Sequence, residues 1–202
     1  MARPAILSEI KKEIQNAKIG TVFVPIDFAL ITDKKTASVS LSRLEKEKIV
    51  LKIMRGIYYK AEYNNFLDEY VAPEADAVAH ALSRNYGWTI VPCGDTALNR
   101  LGLSNQIPAA WVYVSDGPYK DYTYNQTTIK FKRTTNKEIS KLSYKTALVV
   151  QALKALGNEN INDSVITKLK NTLTEEEKKT MLTEAKAVTS WIFEYIKMIC
   201  RS

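Results

Sequence analysis

Apolar side chains recur at helical spacing in three successive segments of residues 7–48. The first series ends before Gly20, which predicts a helix that begins near Ser8 and stops at that glycine. The second series is short, because Pro25 opens it and residues 32–34 break it. The third series covers residues 35–48. The pattern therefore predicts three consecutive helices.

A strand pattern follows the third helix directly. Residues 49–53 place β-branched and aliphatic side chains on one side and Lys52 on the other. Residues 54–56 supply a turn, and residues 57–59 return as the paired strand. Three helices followed by a hairpin predict a winged helix-turn-helix, in which the third helix enters the DNA major groove and the hairpin is the wing.

The third helix has a small, polar and cationic face opposite its apolar stripe. Serines on that face permit a close approach to DNA, a valine can touch a thymine methyl group, and an arginine can pair with a guanine edge. Lysines and the arginine of the hairpin turn can hold phosphates. The predicted base contacts are Ser38, Val39, Ser42 and Arg43, and the predicted phosphate contacts are Lys35, Lys46, Lys52 and Arg55.

The remaining sequence predicts a linker and a second domain. Residues 61–72 are aromatic and acidic without clear periodicity, which separates a first domain, 1–62, from a second domain, 73–202. The second domain is predicted to contain helices at 74–86, 96–101, 144–156 and 162–173, one last helix from 174 to the C-terminal end, and strands at 88–91, 111–114, 120–124 and 128–132. We expect the last three strands to form an antiparallel meander. The predicted fold class is α+β, with a mainly antiparallel sheet and C-terminal helices.

Charge is concentrated in the N-terminal segment. Up to Lys60 the chain has 12 basic and 6 acidic residues, which gives +6 of the total +7, whereas the remaining residues are nearly balanced. Such asymmetry indicates a polyanionic partner. Two other interpretations stay open, a solvated basic face that forms ion pairs with Glu45 or Glu47, and a winged helix that binds protein.

Composition excludes several other classes of protein. The first residues become charged before a signal-peptide core can form, and no apolar run is long enough to span a membrane, so we expect a cytoplasmic protein with no membrane partner. Cys93 and Cys200 lie too far apart in sequence to suggest a disulfide framework or a zinc site. His80 lies in a helical pattern with no nearby nucleophile, which is typical of a structural histidine. We expect no metal and no other cofactor.

Two further stretches carry weaker chemical signals. Gly94 precedes a short helix whose free amides could hold an anion, but the stretch lacks the Gly-Lys-Ser/Thr ending of a nucleotide loop, which favours a structural turn with Asp95 as the helix N-cap. A metal-dependent nuclease would need ligands such as Asp116 and Asp121 beside a strand lysine. The strand at 128–132 carries lysines without a carboxylate two residues earlier, which weighs against a nuclease.

Lys130, Lys132 and Arg133 form a second predicted basic patch. This patch could extend a DNA footprint or contact a protein or RNA. A solvated strand face explains it equally well, so both interpretations stay open.

Four short stretches of the sequence carry a family resemblance. They are Leu41-Ser42-Arg43-Leu44, Arg55-Gly56-Ile57-Tyr58-Tyr59, residues 94–97 leading into 101–108, and Ile129-Lys130-Phe131-Lys132-Arg133. Together they resemble the AbiEi-type antitoxins of type IV toxin-antitoxin systems, in their compact branch catalogued as a domain of unknown function. They recur in the expected order over roughly residues 5–200. Where members of that family often have a glycine between the third helix and the wing, this chain has Glu47 and Lys48.

The resemblance implies a function as well as a fold. It implies a non-enzymatic repressor that binds an inverted repeat in its own promoter through a winged helix, followed by a domain required for antitoxicity. It also implies a neighbouring AbiEii-type nucleotidyltransferase toxin, neutralised without a stable complex, in a system of abortive infection and phage defence. The alternatives are a nuclease with a winged-helix targeting domain and a winged-helix regulator without a toxin partner.

Overall fold

The computed structural model describes residues 3–134, 139 and 141–201. The protein is mixed α+β, with antiparallel strand pairs and a helical C-terminal region. The chain divides into two compact units, Met1–Trp88 and Thr89–Ser202. Within the part of the chain that the structure describes, no helix combines the length and apolar character needed to cross a membrane.

The first unit contains the predicted succession of helices and hairpin, followed by a second hairpin and a further helix. A three-stranded sheet has the order β1-β3-β2, with both strand pairs antiparallel. The elements are α1 (Arg3–Asn16), β1 (Val22–Phe23), a 3₁₀ helix (Pro25–Phe28), α2 (Lys34–Lys46), β2 (Leu51–Met54), β3 (Ile57–Tyr59), β4 (Tyr63–Asn64), β5 (Glu69–Tyr70) and α3 (Ala75–Tyr86).

The helices of the first unit surround one apolar core. Ile10 and Ile14 of α1 are fully buried, as is the apolar stripe of α2 that the sequence predicted. Phe28 of the 3₁₀ helix stacks on Phe23 with ring centroids 6.0 Å apart. Burial of these side chains is the main favourable term in the stability of such a small core, and it fixes the rotation of α2 about its own axis.

Helix α3 belongs to the first unit, whereas the sequence assigned residues 73–88 to the second domain. Arg84 explains the difference. Its guanidinium donates two hydrogen bonds to the Asp27 carboxylate, at 2.7 and 3.1 Å, and a third to the Val22 carbonyl oxygen at 3.0 Å. This long-range contact leaves no trace in local sequence patterns. The predicted linker, residues 61–72, contains the β4–β5 hairpin.

The sheet of the second unit has the order β6-β7-β9-β8. The predicted antiparallel meander is therefore wrong, because β9 lies between β7 and β8 and runs parallel to β7. Burial explains this order. Ile129 and Phe131 make β9 suitable for a central position, whereas the strand with the sequence Lys-Asp-Tyr-Thr-Tyr tolerates the solvated edge. The strands are β6 (Ile90–Pro92), β7 (Trp111–Ser115), β8 (Lys120–Tyr124) and β9 (Thr127–Arg133).

The helices of the second unit pack around α5, which begins and ends where the sequence predicted and is buried over most of its length. Thr174 and Glu177 form a capping box at the start of the helix that begins at Glu175. The prediction of a single last helix is wrong, because a 3₁₀ turn, Ala185–Ala187, interrupts it. A new helix then begins after Thr189, which is its N-cap. The helices are α4 (Asp95–Arg100), α5 (Tyr144–Leu156), α6 (Asp163–Thr172), α7 (Glu175–Glu184) and α8 (Ser190–Cys200).

We expect Arg84→Ala to lower the free energy of unfolding by about 1–2 kcal/mol, because it removes charge-assisted hydrogen bonds that hold α3 to the first unit. Arg84→Lys should recover only part of this loss, since an ammonium cannot make the forked contact. Urea unfolding followed by circular dichroism measures both values. A value for Arg84→Ala equal to that of the wild type would contradict the role of this contact.

Candidate nucleic-acid interface

Asp33 fixes the start of α2. One carboxylate oxygen accepts the backbone N–H groups of Lys35 and Thr36 at 2.9 and 3.1 Å, and the other accepts the Thr36 hydroxyl at 2.7 Å. These hydrogen bonds, that of the Thr36 hydroxyl above all, lower the pKa of Asp33. The helix therefore begins at a fixed point and presents a defined outward face.

The outward face of α2 carries the side chains that the sequence assigned to it. Lys35, Arg43 and Lys46 are exposed, and Val39 is 48% exposed. Ser38 and Ser42 are half-buried. The apolar stripe lies on the opposite side, within the core. The six residues predicted on this helix therefore share one accessible surface.

An open groove of about 640 Å³ lies between α2 and the β2–β3 hairpin, and we call it the cationic groove. It brings together five predicted DNA-binding residues, three from the helix and two from the hairpin. Gly56, with φ +78°, allows the tight turn beside Arg55. The lining residues are Pro25, Lys34, Lys35, Ser38, Val39, Lys52, Arg55, Gly56, Tyr58, Asn85 and Tyr86.

Arg43 and Lys46 lie outside the cationic groove. Arg43 borders a smaller depression of about 310 Å³ on the helix itself, the α2 groove, whose lining residues are Asp33, Lys35, Thr36, Val39, Ser40 and Arg43. Lys46, in the last turn of α2, lines neither groove. The predicted set is thus one surface with the cationic groove at one side and the last turn of α2 at the other.

The cations of this surface have no acidic partner within the described residues. Glu47, which the sequence offered as a partner for the helix cations, instead pairs with Lys11 of α1 at 2.8 Å. No ion pair joins the described acids to the five predicted phosphate or base contacts that carry charge, which are Lys35, Arg43, Lys46, Lys52 and Arg55. Their charge is available to an anionic ligand.

Ser42 has a neighbour that the sequence did not predict, Tyr58 of β3. Burial and, second, the nearby charge of Glu45 raise the pKa of Tyr58, and the Ser42 hydroxyl acts in the opposite direction.

Two residues of the cationic groove come from α3 and were missed by sequence reasoning. Asn85 and Tyr86 line its wall, and the Asn85 carbonyl oxygen accepts a hydrogen bond from the Lys34 ammonium at 3.4 Å. Tyr86 stacks on Trp88 with ring centroids 4.7 Å apart. Because α3 was assigned to the other domain, nothing in the local sequence indicated its place here.

Helix α2 ends in a Schellman motif at the bend before the hairpin. The Ile49 N–H donates to the Leu44 carbonyl oxygen at 2.9 Å, and the Lys48 N–H donates to that of Glu45, also at 2.9 Å. Lys48, which donates the second of these hydrogen bonds, has φ +58°, in the left-handed region that favours glycine. A lysine, and not a glycine, therefore makes the bend between α2 and the hairpin.

The second predicted patch is not a single row. Strand alternation places Lys130 and Lys132 on one face of the sheet and Arg133 on the other. Lys130 also pairs with Asp121 across the β8–β9 ladder at 3.8 Å. Lys132 and Arg133 are exposed. The patch is divided between two surfaces.

The residues weighed for other chemistry have structural contacts. Asp116 accepts the Thr89 N–H at 2.8 Å, and no group of three or more His, Cys, Asp or Glu residues comes together in residues 3–134, 139 and 141–201. Gly94, with φ +57°, is the N-cap of α4, so the prediction of Asp95 as the cap is wrong. Burial raises the pKa of both thiols, Cys93 and Cys200.

The comparisons with known proteins place the chain in a family without assigning its role. A family model described as a family of unknown function, DUF6088, matches residues 9–181, which include parts of both units. A search of curated proteins gives no match. The family's description gives no function, so the AbiEi-type antitoxin stays a prediction.

We expect Lys48→Gly to raise the free energy of unfolding by about 1 kcal/mol, because glycine adopts the left-handed conformation without the steric cost that a Cβ adds. Lys46→Gly, in the helical last turn of the same helix, is the matched control and should destabilise by a similar amount. Chemical denaturation of the two variants measures both effects. Destabilisation by Lys48→Gly would contradict strain at this bend.

Proposed function

We propose that the chain, which belongs to the DUF6088 family, is a DNA-binding transcriptional autorepressor. In this proposal the N-terminal unit is a winged helix-turn-helix that binds an inverted repeat in its own promoter, in the cytoplasm. The chain also serves as the non-enzymatic antitoxin of a type IV toxin-antitoxin system. Its functional partner is an AbiEii-type nucleotidyltransferase toxin, neutralised without a stable complex.

The observation that carries the DNA-binding part is the shared surface of α2 and the β2–β3 hairpin. Lys35 from the helix and Lys52 and Arg55 from the hairpin line one groove, and these cations have no ion-pair partner among the described residues. Phosphate contacts supply most of the affinity of such proteins for duplex DNA. The alternative interpretation, a solvated basic face, expects these cations to form ion pairs with Glu45 or Glu47. Glu47 instead pairs with Lys11 of α1.

The topology of the first unit supports the winged-helix part of the proposal. Helical segments precede α2, and the β2–β3 hairpin follows it directly. Strand β1 joins this hairpin and completes a small antiparallel sheet. In proteins of this architecture the last helix before the hairpin enters the major groove. In our proposal α2 takes that role, with Arg43 reading a base.

The antitoxin part rests on the resemblance of the ordered sequence stretches. Two of these stretches lie in the first unit and two in the second, and the family match likewise includes residues of both. The proposal therefore assigns DNA binding to the first unit and leaves antitoxicity to the second. The cations at Lys132 and Arg133 are candidates for that role because they are exposed.

We expect Arg43→Ala to weaken binding to the chain's own promoter by about 1–3 kcal/mol and to relax preference at one base pair. Lys46→Ala should weaken binding to all duplexes alike and lower the salt slope by about one. Fluorescence anisotropy with the promoter and with a scrambled duplex separates these effects. Equal losses on both duplexes for Arg43→Ala would remove its base-reading role.

The antitoxin role has its own test. Co-expression with the adjacent nucleotidyltransferase-like gene should rescue growth of the host, and the second unit expressed alone should retain part of the rescue if antitoxicity lies there. A variant with Lys35, Lys52 and Arg55 changed to Ala separates this role from repression. Absence of a toxin gene beside this one would favour a regulator without a toxin partner.

A further inference from the structure

The β4–β5 hairpin of the first unit presents apolar side chains to water. Phe66 is 94% exposed and Leu67 is 57% exposed at its turn. Only two residue pairs form the ladder, Tyr63↔Tyr70 and Asn64↔Glu69. Exposed aromatic side chains of this kind mark interaction sites when the surrounding structure holds them in place.

The turn of this hairpin is held by its own side chains. The side-chain Oδ1 of Asn64 accepts the backbone N–H groups of Phe66 at 2.9 Å and Leu67 at 3.2 Å. The Tyr63 hydroxyl donates to Asp68, and the rings of Tyr63 and Tyr70 meet edge to face at 5.0 Å. The two apolar side chains are thus displayed in one arrangement before any partner arrives, which lowers the entropic cost of binding.

The charge around the turn decides which class of partner it fits. Residues 61–83 contain five acidic residues and no lysine or arginine, whereas the rest of the chain has 29 basic and 17 acidic residues, a net +12. An acidic hairpin is repelled by DNA phosphates and by anionic lipids. It fits a protein surface that combines an apolar depression with cations.

The α2 groove has this chemistry. Val39 supplies apolar surface, Lys35 and Arg43 border the depression, and neither cation is in an ion pair within the described residues. Its volume of about 310 Å³ is enough for a benzyl side chain. A chain that carries both the acidic hairpin and this groove is complementary to itself.

We propose that the β4–β5 hairpin of one copy docks in the α2 groove of a second copy. In this contact the Phe66 side chain fills the groove and Glu69 faces Arg43. If each copy inserts its hairpin in the other, the contact closes as a two-fold dimer. This dimer forms without DNA, so it does not depend on the proposed function. Where that function also holds, duplex DNA and the hairpin compete for α2, and the dimer is the form released from DNA.

Sedimentation velocity of the full chain over a range of concentrations tests the dimer. The wild type should form a concentration-dependent dimer at low salt that dissociates at high salt. Phe66→Asp should raise the dissociation constant about tenfold or more. Leu30→Asp, at a fully exposed leucine of the first unit that belongs neither to the hairpin nor to the lining of the α2 groove, is the matched control and should leave the dimer intact.

A charge exchange tests the predicted pair of residues. Arg43→Glu and Glu69→Arg should each weaken the dimer, and the double variant should recover most of the loss. A wild type that stays monomeric, a Phe66→Asp variant that dimerises like the wild type, or a double variant without recovery would each overturn the inference.

Measurements with duplex DNA separate the two proposals. If the wild type dimerises but does not bind duplex, the proposed function fails and the dimer stands. If instead the chain binds duplex as a monomer and Phe66→Asp weakens that binding, Phe66 acts as a wedge between DNA base steps. This result would overturn the dimer inference.

Discussion

The rotation of α2 about its axis is the constraint on which the rest of the first unit depends. Ala37, Leu41 and Leu44 are fully buried, and no other rotation of the helix would hide all three. Because an α-helix turns by about 100° per residue, burial of this stripe determines which residues face water. The cationic surface is therefore a consequence of core packing.

The position of the hairpin beside α2 follows from the bend that ends the helix. Lys48 adopts a left-handed backbone conformation, which allows two backbone hydrogen bonds to cap the end of α2. Two residues later, Val50 is buried in the core. Strand β3 pairs with β1 on one side and β2 on the other, which leaves Lys52 and Arg55 facing the groove. A short chain thus carries cations from two elements to one surface.

Sequence reasoning succeeded where the structure depends on local contacts. The helices and hairpin of residues 7–59 were predicted because their signals lie within a few residues, as in the spacing of Leu41 and Leu44 or the turn at Gly56. It failed where distant residues decide the outcome. The contact of Arg84 with Asp27 joins α3 to the first unit, whereas the sequence assigned it to the second domain. Strand β9 pairs in parallel with β7, whereas the sequence predicted an antiparallel meander.

The candidate site was predicted to a similar extent and for similar reasons. Periodicity alone places Lys35 and Arg43 on the outer face of α2, and the structure agrees. Strand alternation also shows that Arg133 and Lys132 belong to opposite faces, which the prediction of a single patch overlooked. The contributions of Asn85 and Tyr86 to the groove require the packing of α3, which no local pattern describes.

The boundary at Trp88 has a consequence for how the protein is made. Every element of the first unit, including α3 and the arginine that secures it, precedes every element of the second in the chain. During translation the whole N-terminal core is therefore synthesised before β6, so this unit can fold independently of later segments once it has left the exit tunnel. The nascent chain would acquire its cationic surface while it is still attached to the ribosome.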